Sequence, residues 1–170
     1  MLSLGKVNIG GISMLSLIDN IIGEEFRDFI SVHLDYADSF SLTKNRWSNN
    51  DTCQEHIAIL NALAPYLIHT VHSEKWFCQR VPKENEFEVS IFKFNQETAR
   101  ILSVHYNSLF YDESYKGKPE DLCFFLNNKL ITGSVTHEGI CFSYIDGLYL
   151  PGRWEKTTTM TKEQIDISIY

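Results

Sequence analysis

The segment Glu120–Ile145, EDLCFFLNNKLITGSVTHEGICFSYI, constrains this chain more than any other stretch. It predicts three consecutive antiparallel strands, Leu122–Leu126, Leu130–Val135 and Ile140–Ile145, turning at Asn127-Asn128 and again at Thr136–Gly139. Such a meander forms between sequence neighbours, but it cannot bury its apolar face alone. The rest of the chain must cover it.

At 170 residues the sequence is expected to form one globular domain over 1–170. A chain of this length buries roughly 70% of its unfolded surface and needs no disulfide or metal staple. The four cysteines, Cys53, Cys78, Cys123 and Cys141, form no CxxC pair. Their apolar surroundings predict buried free thiols in a reducing compartment. A Cys123–Cys141 disulfide would require their strands to be neighbours.

Ahead of the meander, Leu2–Ile9 alternates as an edge strand would, and Gly10-Gly11 ends it. Met14, Leu17, Ile18, Ile21 and Ile22 have helical spacing behind a Ser13 cap. Phe26–Tyr36 reads as a half-buried strand with Ile30, Val32, Leu34 and Tyr36 on one side, and Phe40–Leu42 as its return. Asn50 or Asp51 caps a central helix reaching Ala64-Pro65. Tyr66–Val71 and Trp76–Val81 suggest a hairpin, and Phe87–Phe94 a strand. Asn95 caps a helix whose apolar face extends to Leu109, and Ile165–Ile169 alternates as a last strand. The pattern is α+β: a mostly antiparallel sheet with a C-terminal three-strand meander, packed on one side by two or three helices, two of them near 51–64 and 96–110.

The chemistry-bearing residues do not assemble into a known catalytic pattern. His69 and His72 with Cys78 lack a fourth zinc ligand and the geometry to present one. His137-Glu138-Gly139-Ile140-Cys141 begins like a zincin motif but has no second histidine. Gly133-Ser134-Val135 is mid-strand and no nucleophile elbow exists. Gly10-Gly11 is not followed by the lysine of a phosphate loop. No metal, no cofactor and no enzymatic activity are expected on these grounds.

Charge points to a different role. With 15 basic and 22 acidic residues the net charge is −7, which disfavours nucleic acid as a partner and suits a basic protein. Asp112, Glu113, Glu120 and Asp121 flank the loop before the meander. They read either as a negative surface for such a partner, with Tyr111 or Tyr115 as aromatic anchors, or as a solvated face with turn caps. Trp47, Trp76 and Trp154 lie in polar segments, as interface anchors or as residues folded back onto the core. No long apolar run spans a membrane, and the N-terminal stretch lacks a small-x-small cleavage site, so a cytoplasmic protein without a signal peptide is expected.

In the pattern EDLCFF…KLITGSVTHEG, the meander resembles a segment of small bacterial cytosolic proteins that include immunity proteins of contact-dependent and other polymorphic toxin systems. The likeness covers Glu120–Ile145. It implies a small acidic protein that binds a cognate toxin domain, often a nuclease, and blocks it by occluding its basic active surface, with no shared catalytic residues. Two further readings stand beside it. One is a small-ligand-binding or enzymatic domain whose site gathers distant residues, His33 and His137 first among them. The other is a structural homodimer joined through an exposed edge strand such as Leu2–Ile9.

Overall fold

The computed structural model describes residues 14–45, 53–157 and 166–169. In chain order the elements are β1 (Leu15–Leu17), α1 (Glu24–His33), β2 (Ser39–Thr43), α2 (Gln54–Leu63), β3 (Leu67–Ser73), β4 (Lys75–Trp76), β5 (Gln79–Arg80), β6 (Phe87–Lys93), α3 (Gln96–His105), β7 (Glu120–Leu126), β8 (Lys129–Val135), β9 (Ile140–Ser143) and β10 (Trp154–Lys156). The fold is α+β. Eight strands make one antiparallel sheet in the order β10-β1-β9-β8-β7-β2-β6-β3, and β4-β5 form a separate two-stranded ribbon.

The meander β7-β8-β9 is present as expected. Leu126 pairs with Lys129 across a two-residue loop in which Asn127 and Asn128 both have positive φ, the hairpin geometry that suits the twist of the flanking strands. Because β8 lies between β7 and β9, Cys123 and Cys141 are not on neighbouring strands, and both thiols are free.

Each face of the sheet has its own cover. On one face α3 packs between α1 and α2, and Phe29, Ile30, Ile59, Leu63 and Leu102 meet Phe40, Phe92 and Phe124 of the sheet. The opposite face buries Val89, Ile91, Cys123, Phe125 and Val135 under Trp76 and Phe77 of the β4-β5 ribbon, with Ile167 beside them. Trp76 thus folds back onto the core and Trp154 is half-buried, while Trp47 lies outside the described residues. Gly133 is what lets the ribbon sit down: a Cβ there would come within 2.8 Å of the Phe77 ring. Gly133→Ala is therefore expected to destabilise the protein by about 1–3 kcal/mol in urea denaturation, as overpacking does. Adding Phe77→Ala should then cost less than it costs in the wild type, because the clash is gone.

Several segments differ from the sequence expectation. Glu24–His33 is helical, not extended. Phe26, Phe29, Ile30 and His33 supply the helical period, and Glu24 and Glu25 complement the positive end of the helix dipole. In the stretch from Met14 to Ile22, only a strand forms: Leu15–Leu17 pairs with both β9 and β10, and that long-range pairing overrides the local helical spacing. The helix capped by Asn95 stops at His105, where Tyr106 turns extended. Its start is as expected, with reciprocal Asn95 and Thr98 bonds forming a capping box. The central helix begins behind Cys53, which makes no side-chain cap bond; Asn50 and Asp51 lie outside the described residues, as does Leu2–Ile9. Ile167–Ile169 is a one-turn 3-10 helix, because Asp166 accepts bonds from the amide and hydroxyl of Ser168 and folds the backbone back. The second half of the expected hairpin after Tyr66 is the β4-β5 ribbon, while β3 pairs with β6 instead.

Candidate binding site

The start of β7 and the end of β8 bring together most of the residues nominated from sequence. Between Ser41 and Thr43 of β2, β7 accommodates one extra residue, running from Cys123 back to Glu120. The bulge lets two successive acids turn inward rather than alternate. Glu120 is buried, with its Oε2 2.8 Å from His137 Nε2. Asp121 is also buried and takes φ +56°, a left-handed conformation. Its carboxylate accepts from Thr136 N at 2.8 Å and from Gln79 Nε2 at 2.9 Å, while its own amide donates to Thr136 Oγ1 at 2.8 Å. Burial pushes the Asp121 carboxyl above its ordinary pKa, and the bonds from Gln79 and Thr136 offset only part of that.

Outside this buried pair lies an exposed edge. Tyr111 N donates to Thr136 O at 3.1 Å, which fixes the tyrosine beside the end of β8. Its ring stacks on His137 at 4.7 Å between centroids and is 45% exposed. Asp112 accepts from Ser114 N at 2.8 Å and from the Ser114 hydroxyl, holding the one-turn helix Glu113–Tyr115. Partial burial opposes ionisation of Asp112, but the bonds from Ser114 and Ser108 outweigh it and hold the carboxyl below the usual range. Glu113 and Glu138 are exposed, and so is Lys116. Lys118 turns inward and donates to His105 O at 2.5 Å.

The structure thus divides the six residues of the expected surface. Tyr111, Asp112 and Glu113 reach solvent. Tyr115, Glu120 and Asp121 do not: Tyr115 packs on Tyr106 with centroids 5.3 Å apart, and the two acids are engaged inside. His33 and His137 are not brought to one site. His33 lies in the core and meets β8 at Thr132, whereas His137 follows the far end of that strand.

Two of the four cysteines depart from the expected burial, and all four are free. Cys123 and Cys141 are buried, Cys53 is half-buried and Cys78 is exposed. Desolvation still pushes the Cys78 thiol up to about 11, so it is protonated at neutral pH rather than poised as a nucleophile. Among the described residues no group of three or more His, Cys, Asp and Glu side chains is placed to hold a metal ion. No described helix is long and apolar enough to cross a membrane.

Two exposed features carry no clear sequence signal. Leu148, 87% exposed, and Tyr149 project from the loop after β9, which Asp146 closes by accepting from the amides of Leu148 and Tyr149. A cleft of about 330 Å3 opens between α2 and the β2-β6 end of the sheet.

Comparison with protein-family models, with curated proteins and with solved structures found no match to this chain.

Proposed function

We propose that this is a non-enzymatic cytoplasmic binding protein, an immunity protein that neutralises a cognate toxin domain by covering its basic active surface. The observation that carries the reading is the Tyr111–His137 stack. A tyrosine half-open to solvent is held in place by its own backbone bond and by the imidazole behind it, so little side-chain freedom is lost on binding. Asp112, Glu113 and Glu138 form an acidic rim around that anchor, only partly offset by Lys116. The buried Glu120 supports it from below by pairing with His137. Complementary charge then sets the encounter rate and the choice of partner, and the aromatic anchor sets the lifetime of the complex.

Co-expression with the product of the adjacent reading frame tests this directly. Growth should be rescued and the two proteins should co-purify. Tyr111→Ala combined with Asp112→Lys and Glu113→Lys should weaken the complex by at least about thirty-fold, the loss of one anchor of about 2 kcal/mol. Undiminished binding by the triple variant would remove the proposed surface, and absence of rescue by the wild type would end the immunity reading.

A further inference from the structure

We propose that the cleft between α2 and the β2-β6 strands is a binding site for a small zwitterion with an apolar branch, an α-amino acid carrying an aliphatic or aromatic side chain. This site is separate from the Tyr111 surface and does not depend on it.

The cleft is built from both layers of the fold. Leu42 of β2 and Ile57 and Leu60 of α2 supply an apolar lining, and Pro119 joins them from the loop before β7. At the same opening stand Lys44 and Glu88, brought together because Lys44 N donates to Glu88 O at 2.9 Å and the two backbones run side by side. Their side chains approach to 3.9 Å, each about two-fifths exposed. Ser90, cross-strand from Leu42, adds a hydroxyl within the cleft.

The chemistry of this lining selects its ligand. A volume of about 330 Å3 is at the small end of ligand pockets and suits a single amino acid rather than a nucleotide or a lipid. A simple anion would meet Glu88 as well as Lys44, and a simple cation would meet Lys44 as well as Glu88, while His56 and Asn61 of α2 place two further polar groups in the lining. A zwitterion satisfies both: its carboxylate pairs with the Lys44 ammonium and its ammonium with the Glu88 carboxylate. The existing ion pair is long and solvent-screened, so little is lost when it opens to admit the two charges. The side chain of the ligand then takes the apolar wall and displaces water from it.

Titration of the full-length protein with L-leucine and L-phenylalanine, followed by amide chemical shifts, tests the site. Saturable shifts are expected in α2, β2 and β6. Isoamylamine and 4-methylpentanoate, which each keep the branch and one charge of leucine, should bind at least tenfold more weakly. Glycine, which keeps both charges and lacks the branch, should do the same. Lys44→Gln and Glu88→Gln, at half-exposed positions that leave the core intact, should each weaken leucine binding about tenfold. Ser90→Leu should close the cleft and abolish it. No saturable shift with any apolar amino acid at millimolar concentration would overturn the proposal. So would equal binding of the singly charged analogues, or shifts unaffected by both glutamine variants. None of these readouts involves a toxin partner, so they stand or fall independently of the immunity reading.

Discussion

Lowering the pH from 6.5 to 4 should strip about 3 kcal/mol from the unfolding free energy through one residue, His33. Its ring is fully buried between Phe29 and Phe124, with centroids 4.4 and 4.1 Å away. Its hydrogen bonds admit only the neutral form without rearrangement. Phe29 O, 2.7 Å from Nδ1, can only accept, so Nδ1 carries the proton. Nε2 then accepts from the Thr132 hydroxyl at 2.8 Å, Thr132 Oγ1 accepts from Ser143, and Ser143 Oγ accepts from Ile145 N. A second ring proton would leave this relay with two donors facing each other. Desolvation dominates, the Phe29 bond opposes it, and the pKa falls from 6.5 to about 4.

The sign follows from linkage. Above pH 6.5 the ring is neutral in the folded and unfolded chains, and its titration costs nothing. Below 6.5 the unfolded chain binds a proton that the folded one refuses, so stability falls until the folded ring also titrates near pH 4. The difference between the urea-unfolding curves of wild type and His33→Gln isolates the effect from other titrating groups. That difference should change by about 3 kcal/mol between pH 7 and pH 4. A difference that stays flat, or an imidazole resonance that titrates near 6.5 in the folded protein, would refute this description of the core.

What the sequence made legible was chiefly local. Asn127-Asn128 and the flanking alternation specify a hairpin whose partners are sequence neighbours, and Asn95 with Thr98 writes a helix start within four residues. Glu24–His33 was harder because two periods overlap there. Ile30, Val32, Leu34 and Tyr36 suggest a strand, while Phe26, Phe29, Ile30 and His33 suggest a helix. Only the core beneath Phe29, made by Phe124 and Trp154 from distant segments, settles which set is buried. The site suffers the same limitation. Counting acids treats Glu120 and Asp121 like Asp112 and Glu113, yet a bulge in β7 and partners at Gln79, Thr136 and His137 bury the first pair. The cleft is equally invisible, because Lys44 and Glu88 meet only when β2 lies beside β6.

Asp121→Ala should destabilise the protein by about 3 kcal/mol and loosen the β4-β5 ribbon before the rest unfolds. Asp121 combines three roles at one position. It occupies the left-handed position required by the bulge, where aspartate is tolerated better than alanine. One carboxylate oxygen satisfies the buried Thr136 amide. The other holds Gln79, the first residue of β5, and so ties the ribbon to the main sheet. Alanine leaves the Thr136 donor buried without its partner, which alone costs about 1–3 kcal/mol, and adds backbone strain of about 1 kcal/mol. Asp121→Gly separates the contributions: it relieves the strain but not the lost bonds, and should recover about 1 kcal/mol relative to alanine. Asp121→Asn keeps one acceptor oxygen and should be the mildest of the three. Hydrogen exchange adds the spatial test. In the alanine variant the amides of Thr136 and of β4-β5 should exchange faster by more than global destabilisation predicts, whereas those of α3 should follow global unfolding alone. Uniform acceleration across the sheet would mean that the Gln79 bond is not what holds the ribbon down.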